Sequence, residues 1–523
     1  MTILPKGRPL STVSVVSRLL VPVAALAAIF SLPAQGAWAI GGQLQFTVVD
    51  KDTGQPIACR MHLRNAAGHP HKPPRVPFWN DHFALPGTIT LDLPQGNYQF
   101  EVEAGPECIT VGGHFTMKPF GKDSKRIEIR RFTRMSDDGW WSGDLDIRRA
   151  LNGIELVLTA EDIHVAPVAT WWNDENWWAK RKLPETPVVG FEGNRFYHVL
   201  CGGQNRPGGE WLLLNQAVPL ILKAEKQEFP SPVEQLKRAH ETPLGWVDVT
   251  TPYWWDLPLL IAHGQVDSIQ VAHRRLGRET SLAGEQGGKA RDMALYPGPW
   301  GNARWSQDLY FRLLECGVRI PPSAGSGSGM SPNPVGYNRV YVHVDGPFSY
   351  EKWWAGLRAG RVTITNGPLL RPNVNGELPG HVFRADKGDR LLLEPAVTLS
   401  TRDKISYMEI VKNGQVERSI RFDEYAKSGR LPPLEFTESG WFLLRAVTDV
   451  EKTYRFAMTG PYYVEIGSQP RISKQAGQFF LNWVFERARQ IRTADDDQQR
   501  ETLDFHRQAR DYWQDLVNRA TAE

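Results

Sequence analysis

In Gly143-Asp144-Leu145-Asp146-Ile147-Arg148-Arg149, charged and apolar side chains alternate from Asp144 to Arg148. Successive side chains of a β-strand point to opposite faces, so Asp144, Asp146 and Arg148 share one face while Leu145 and Ile147 share the other. The first face is too polar for an apolar core, which makes its three residues candidates for the wall of a site.

Outward from this stretch, between Asp137 and about Leu370, apolar strands alternate with helical segments. Strands read at Ile163–Val168, Val188–Phe191, Trp211–Leu214, Gly245–Val249, Ser268–Ala272 and Val340–Val344. Helices read at Pro232–His240, Leu257–His263, Ser306–Glu315 and Tyr350–Ala359. Such alternation predicts a largely parallel sheet, open or closed into a barrel. From Gly41 to about Arg134, short alternating runs broken by Gly, Pro and Asn predict a β-sandwich. About Gly380 to Gly467 returns to β character, with Lys412-Asn413-Gly414-Gln415 as a type I′ hairpin turn, and predicts a second sandwich. After Ile472 the pattern is helical, with Phe479, Phe480 and Trp483 near one face of a docking helix pair. The expected division is a leader at 1–39, a β-sandwich at 40–135, an α/β region at 136–372, a second β-sandwich at 373–467 and a helical tail at 468–523.

Five stretches together resemble the polymerase-and-histidinol-phosphatase (PHP) metallohydrolases, in the CehA/McbA-like branch. Gly143 to Arg149 is similar to the family's opening Gly-Asp-x-His-x-His, and Glu161-Asp162-Ile163-His164-Val165-Ala166 to the helix-to-strand passage that follows. Val189-Gly190-Phe191-Glu192 resembles a Gly-x-Glu step whose glutamate binds metal. Thr363-Ile364-Thr365-Asn366-Gly367-Pro368 resembles the Thr-Asn-Gly-Pro segment, and Gly460-Pro461-Tyr462-Tyr463-Val464 the closing strand. The resemblance covers roughly Gly41 to Gln490. It implies a distorted seven-stranded (β/α) barrel flanked by the two β-sandwiches, and a divalent metal cluster of zinc, manganese or iron.

The departures from that family fall on the chemistry. Asp146 and Arg148 stand where two histidine ligands belong, and Thr170-Trp171-Trp172-Asn173 stands for Thr-Asp-His-Asn. Thr251-Pro252 replaces a His-Pro step, and Ser326-Gly327-Ser328-Gly329 a Ser-Asp-x-His step. Glu192 keeps its ligand identity, with Asp146 as an oxygen donor if a metal is retained. A metal cluster needs several converging His and carboxylate donors. A guanidinium stays charged and cannot coordinate a cation. Arg148 beside Asp146 and Glu192 is therefore expected to neutralise them in place of the lost ion, within hydrogen-bond distance of one or both. The alternative for Arg148 is an ordinary surface salt bridge.

His164, His198, His240, His263 and His273 are the candidates for a relocated metal site, although no two share a His-x-x-x-His spacing. Asp256, after Trp254-Trp255, reads as a helix cap rather than a base. Gly325-Ser326-Gly327-Ser328-Gly329 lacks the ending of a phosphate loop and reads as a flexible rim segment. No Gly-x-Ser-x-Gly nucleophile elbow occurs.

The 61 basic and 58 acidic residues balance to +3, and three of the basic residues (Lys6, Arg8, Arg18) precede the apolar run Leu19–Leu32. That charge, with no basic stripe, excludes a nucleic-acid partner. The apolar run is shorter than the roughly 20 residues of a membrane helix and is followed by Ala37-Trp38-Ala39. The pattern predicts a cleaved signal peptide, export to the periplasm or beyond, and no membrane anchor afterwards. Cys59 and Cys108 fall in one expected domain and could pair after export, with buried free thiols as the alternative. Fourteen of the 19 tryptophans lie between Trp140 and Trp354, often as adjacent pairs. Most are expected to pack the core, and the rest, Trp255 among the candidates, to line a groove where indole faces stack on sugar rings.

Three functional readings follow. The first is a PHP-like domain that has lost its metal and cofactor chemistry and binds a small molecule or glycan. The second is a working metal-dependent hydrolase of ester or phosphoester bonds built on Asp144, Asp146, Glu192 and a histidine. The third is a non-catalytic envelope or extracellular interaction protein.

Overall fold

Leu44, Phe46 and Val48 alternate along strand Gly41–Asp50 and bury one of its faces. This strand pairs antiparallel with Thr88–Pro94 and parallel with Lys122–Ile129. A five-stranded sheet with Cys59–Asn65 at its centre supplies Met61, Leu63, Phe100 and Val102 to the same core. The computed structural model describes residues 41–221, 227–428 and 430–523. The expected leader, 1–39, lies outside the described residues. Gly41–Glu523 forms one compact unit, mixed α/β and rich in strand.

In the middle of the chain, Trp140–Gly143 runs parallel to Val165–Trp172, and Ile147 extends the pairing by bridging Val168. Val165–Trp172 is parallel to the long strand Arg195–Arg206. Gly209–Leu214 then lies antiparallel to both Arg195–Arg206 and Trp246–Val249. Ser268–Ala272 and Pro322–Ala324 continue in parallel. The Leu145 amide donates to the Ala324 carbonyl and Ile147 bridges Ser328, so the strand order returns to its start. Trp211, Leu213, Val247 and Val249 turn outward against Val233, Leu236, Leu257, Leu260 and Leu309 of the surrounding helices. Alternation then sends Glu210 and Asp248 inward.

Beyond the ring, Arg339–His343 pairs with Trp140–Gly143, then with Val362–Thr365, which pairs in turn with Phe456–Thr459. Hydrogen bonding therefore crosses the expected boundary at 372. One hydrophobic cluster likewise runs from Leu145 through Trp353 to Met458, while a separate one is confined to Leu370–Val464 and its partly buried neighbours.

The tail is two helices, Lys474–Ala488 and Asp496–Asn518, with Ser473 and Asp495 accepting capping bonds from Ala476 and Gln498. Phe480 stacks on Trp513 at 4.8 Å, and the Trp513 indole donates to the Pro258 carbonyl. Cys59, Cys108, Cys201 and Cys316 are all buried free thiols, so the Cys59–Cys108 bond is not formed.

Candidate functional site

Arg148 forks onto Asp146, Nε to Oδ1 at 2.7 Å and Nη2 to Oδ2 at 3.1 Å, and Nη2 also donates to Glu210 Oε1 at 2.7 Å. Arg274 donates to both Glu210 oxygens, Nη2 to Oε2 at 3.0 Å. Its Nη1 lies 4.0 Å from Asp146. Asp146 and Glu210 are wholly buried, so the two guanidiniums supply the compensation that their buried charges require. Burial alone would raise the Glu210 carboxyl, but Arg274 and then Arg148 overcome it and hold it at about 2. The Trp172 ring lies 3.8 Å from the Arg148 guanidinium carbon, a cation–π contact.

Beside this network the Asp248 carboxyl accepts from the Ser268 hydroxyl, from Ser323 Oγ at 2.5 Å and from Gln270 Nε2 at 2.6 Å. Burial pushes it up to about 7 against those bonds, and the Asp146 charge adds to the rise. Asp144 accepts from the backbone amides of Asp146, Ser326 and Gly336, and burial lifts it also to about 7. A carboxyl raised in the folded state binds its proton more tightly there than in the unfolded chain. Stability from Asp248 is therefore lost as pH rises from about 4 to about 7. Asp248→Asn should flatten that slope by at most about 1.4 kcal/mol per pH unit, read from urea unfolding of both proteins at pH 4.5 and 7.5; equal slopes count against it.

Arg148 thus makes its expected contact through Asp146, but Glu192 takes no part in it. Glu192 sits on an exposed turn with φ of 47° and bonds Thr159 and Arg195. Glu210 fills the expected role instead. Trp171 is buried in the outer core, Trp172 covers Arg148, and Asn173 accepts from the Asn205 amide at 2.9 Å to hold its turn. Thr251 is buried just past strand Trp246–Val249. Trp255 packs edge-on to Trp483 of the tail. Asp256 makes no side-chain cap; it accepts from Arg487 Nε at 2.6 Å. The Ser326 hydroxyl is locked to the backbone of Asn338, and 325–328 are buried, so this segment is a packed loop and not a rim. Its backbone is tied down through Asp144.

The five histidines do not converge. His164 contacts Ser142 Oγ at 2.9 Å and is held near 3 by burial; His240 pairs with Asp267; His263 meets the Phe505 carbonyl; His273 meets Ser306; His198 meets the Leu200 amide. Among the described residues, the groups of three or more donors close enough for one ion lie in the N-terminal sheet, at His62, Asp81 and His82 and at His62, Glu101 and Glu103.

Glu210, Asp248 and Arg274 belong to no motif in the sequence that marks them as site residues. A period-two signal was present for the acids: Glu210 shares a strand face with Leu212 and Leu214, and Asp248 one with Trp246. On the mouth side, Arg148, Arg149, Trp171, Trp172, Glu175 and Trp177 line an open cleft of about 480 Å3.

No protein-family model matches the chain, and no curated protein matches it. Among solved structures, the Bacillus anthracis TIE protein is 18% identical over 21% of this chain and 19% of its own, with a TM-score of 0.15. A Streptococcal ancillary pilin is 16% identical over 21% of this chain and 37% of its own, with a TM-score of 0.15. The fibronectin(III)-like modules of Clostridium thermocellum CbhA are 14% identical over 19% of this chain and 98% of their own, with a TM-score of 0.14. The chain thus spans well under half the length of the first two, and overlaps of this size carry no conclusion about fold or activity. Among the described residues, no helix is long and apolar enough to cross a membrane.

Proposed function

We propose that the chain is an exported PHP-like domain of the CehA/McbA type whose seven-stranded ring has exchanged its metal cluster for arginines and now binds a ligand, of the glycan class, at the tryptophan-lined mouth. The carrying observation is the paired fork of Arg148 on Asp146 with Glu210 shared between Arg148 and Arg274. A divalent ion placed between those carboxylates would meet two fixed cations, and the donor set does not fit it.

Support for the ligand comes from the cleft, which is lined by Trp172, with Arg148 against its ring, and by Trp177, which is 48% exposed and carries Arg181 over its ring. Flat indole faces match the apolar faces of sugar rings. Trp172→Ala should weaken binding of the best soluble oligosaccharide from a screened panel about three- to tenfold, as measured by tryptophan fluorescence titration. Unchanged affinity, or no binder in the panel, counts against the glycan reading. Metal-dependent ester or phosphoester hydrolysis abolished by Asp146→Asn or Glu210→Gln would replace the whole proposal with the hydrolase reading.

A further inference from the structure

We propose that His62, Asp81 and His82 bind one divalent transition-metal ion of the zinc class on the N-terminal sheet. The site lies on the N-terminal sheet and does not rest on the function proposed above. Cys59–Asn65 and His82–Leu85 pair antiparallel, with Cys59 opposite Leu85 and Met61 opposite Phe83. The next step of that register brings His62 against His82, whose rings lie 5.2 Å apart between centroids. Asp81 closes the group: its Oδ2 is 3.1 Å from His62 Nδ1 and its Oδ1 is 3.2 Å from His82 Nδ1. All three donor atoms fall within 4.8 Å of one another.

These separations suit an ion. Four ligands at about 2.0–2.1 Å in a tetrahedron stand roughly 3.3 Å from each other. Two imidazoles and one carboxylate favour zinc, copper, iron or nickel over magnesium or calcium, which take oxygen. A second observation concerns His62 itself, which is 6% exposed and whose Nε2 is buried with no hydrogen-bond partner. One of its ring nitrogens also lies within 4.8 Å of oxygens of both Glu101 and Glu103. A metal on Nδ1 would fix the proton on Nε2. Arg64 also donates to Asp81 Oδ2, at 2.5 Å, but its side chain is 43% exposed and has solvent to move into. His62 and Asp81 border a small cavity of about 120 Å3 also walled by Arg274, Arg278 and Asn333, enough for a water or one anionic ligand atom.

The full mature chain, stripped with chelator and titrated with Co2+ alone, should take up one equivalent with the visible bands of a four-coordinate ion, displaced by Zn2+. His82→Gln and Asp81→Asn should each weaken uptake by at least about 100-fold, since even loss of a supporting residue costs 10–100-fold. Glu192→Gln, on an exposed turn, should leave it unchanged. No saturable uptake, uptake that survives His82→Gln, or uptake lost on Glu192→Gln overturns the site. Should the variants fail to fold, X-ray absorption of the zinc-loaded wild type decides: two imidazoles in the first shell support the site, and a shell without imidazole scattering overturns it.

Discussion

Arg148→Ala is expected to destabilise the fold by about 3–5 kcal/mol, the range for removing one partner of a buried ion pair. Asp146 and Glu210 are both wholly buried, and Arg148 bonds both. Arg274 would still neutralise Glu210, but it reaches Asp146 only at 4.0 Å, so Asp146 would carry most of the loss. The double variant Arg148→Ala with Asp146→Asn should recover part of it, because the stranded charge is removed along with its partner. Urea unfolding of the three proteins measures this. A loss below about 1 kcal/mol for the single variant would rank the contact with exposed surface pairs and remove the basis for regarding Arg148 as a stand-in for an ion.

A comparable loss, again about 3–5 kcal/mol, is expected for Arg487→Ala at the other end of the molecule. Arg487 extends from the first tail helix and is 2% exposed; it donates to Asp256 at 2.6 Å and to both oxygens of Glu228, Nη1 at 3.0 Å and Nη2 at 2.5 Å. Asp256 directly precedes the helix Leu257–Ala262, on which Trp513 also rests. Without the guanidinium, the buried Asp256 has no strong partner and the tail loses its polar anchor. Limited proteolysis should then cut the tail well before the rest of the chain. Wild-type resistance in the variant would show that Phe480, Trp483 and Trp513 hold the tail by packing alone.

The strand-by-strand rhythm was largely legible: Ser268–Ala272 and Val188–Phe191 fall at their expected bounds, and the four expected helices form with ends shifted by five residues or fewer. The long strand Arg195–Arg206 was not, because Gly202 and Gly203 interrupt its apolar pattern. A Cβ on Gly202 would stand 2.1 Å from the Trp171 ring, and one on Gly203 2.3 Å from the Trp172 ring, so the glycines are the room those tryptophans occupy. At the site, the face shared by Asp144, Asp146 and Arg148 could be read from alternation alone. Glu210 could not be tied to it, since 62 residues separate it from Arg148 and only closure of the ring brings the two together. Glu192 illustrates the opposite error, a motif match whose backbone turns its side chain to solvent. The helix-cap reading of Asp256 failed because Arg487, far along the chain, offers its carboxylate a charged donor.

The strand ladder that passes from Trp140–Gly143 through Arg339–His343 and Val362–Thr365 to Phe456–Thr459 has a practical corollary for dissecting the molecule. Truncation at residue 372 would strip Val362–Thr365 of a neighbour and leave a bare, apolar β-edge of the sort that recruits other chains. Attempts to express the middle of the chain by itself should therefore yield insoluble material, and the shortest stable piece that includes it will extend through Thr459.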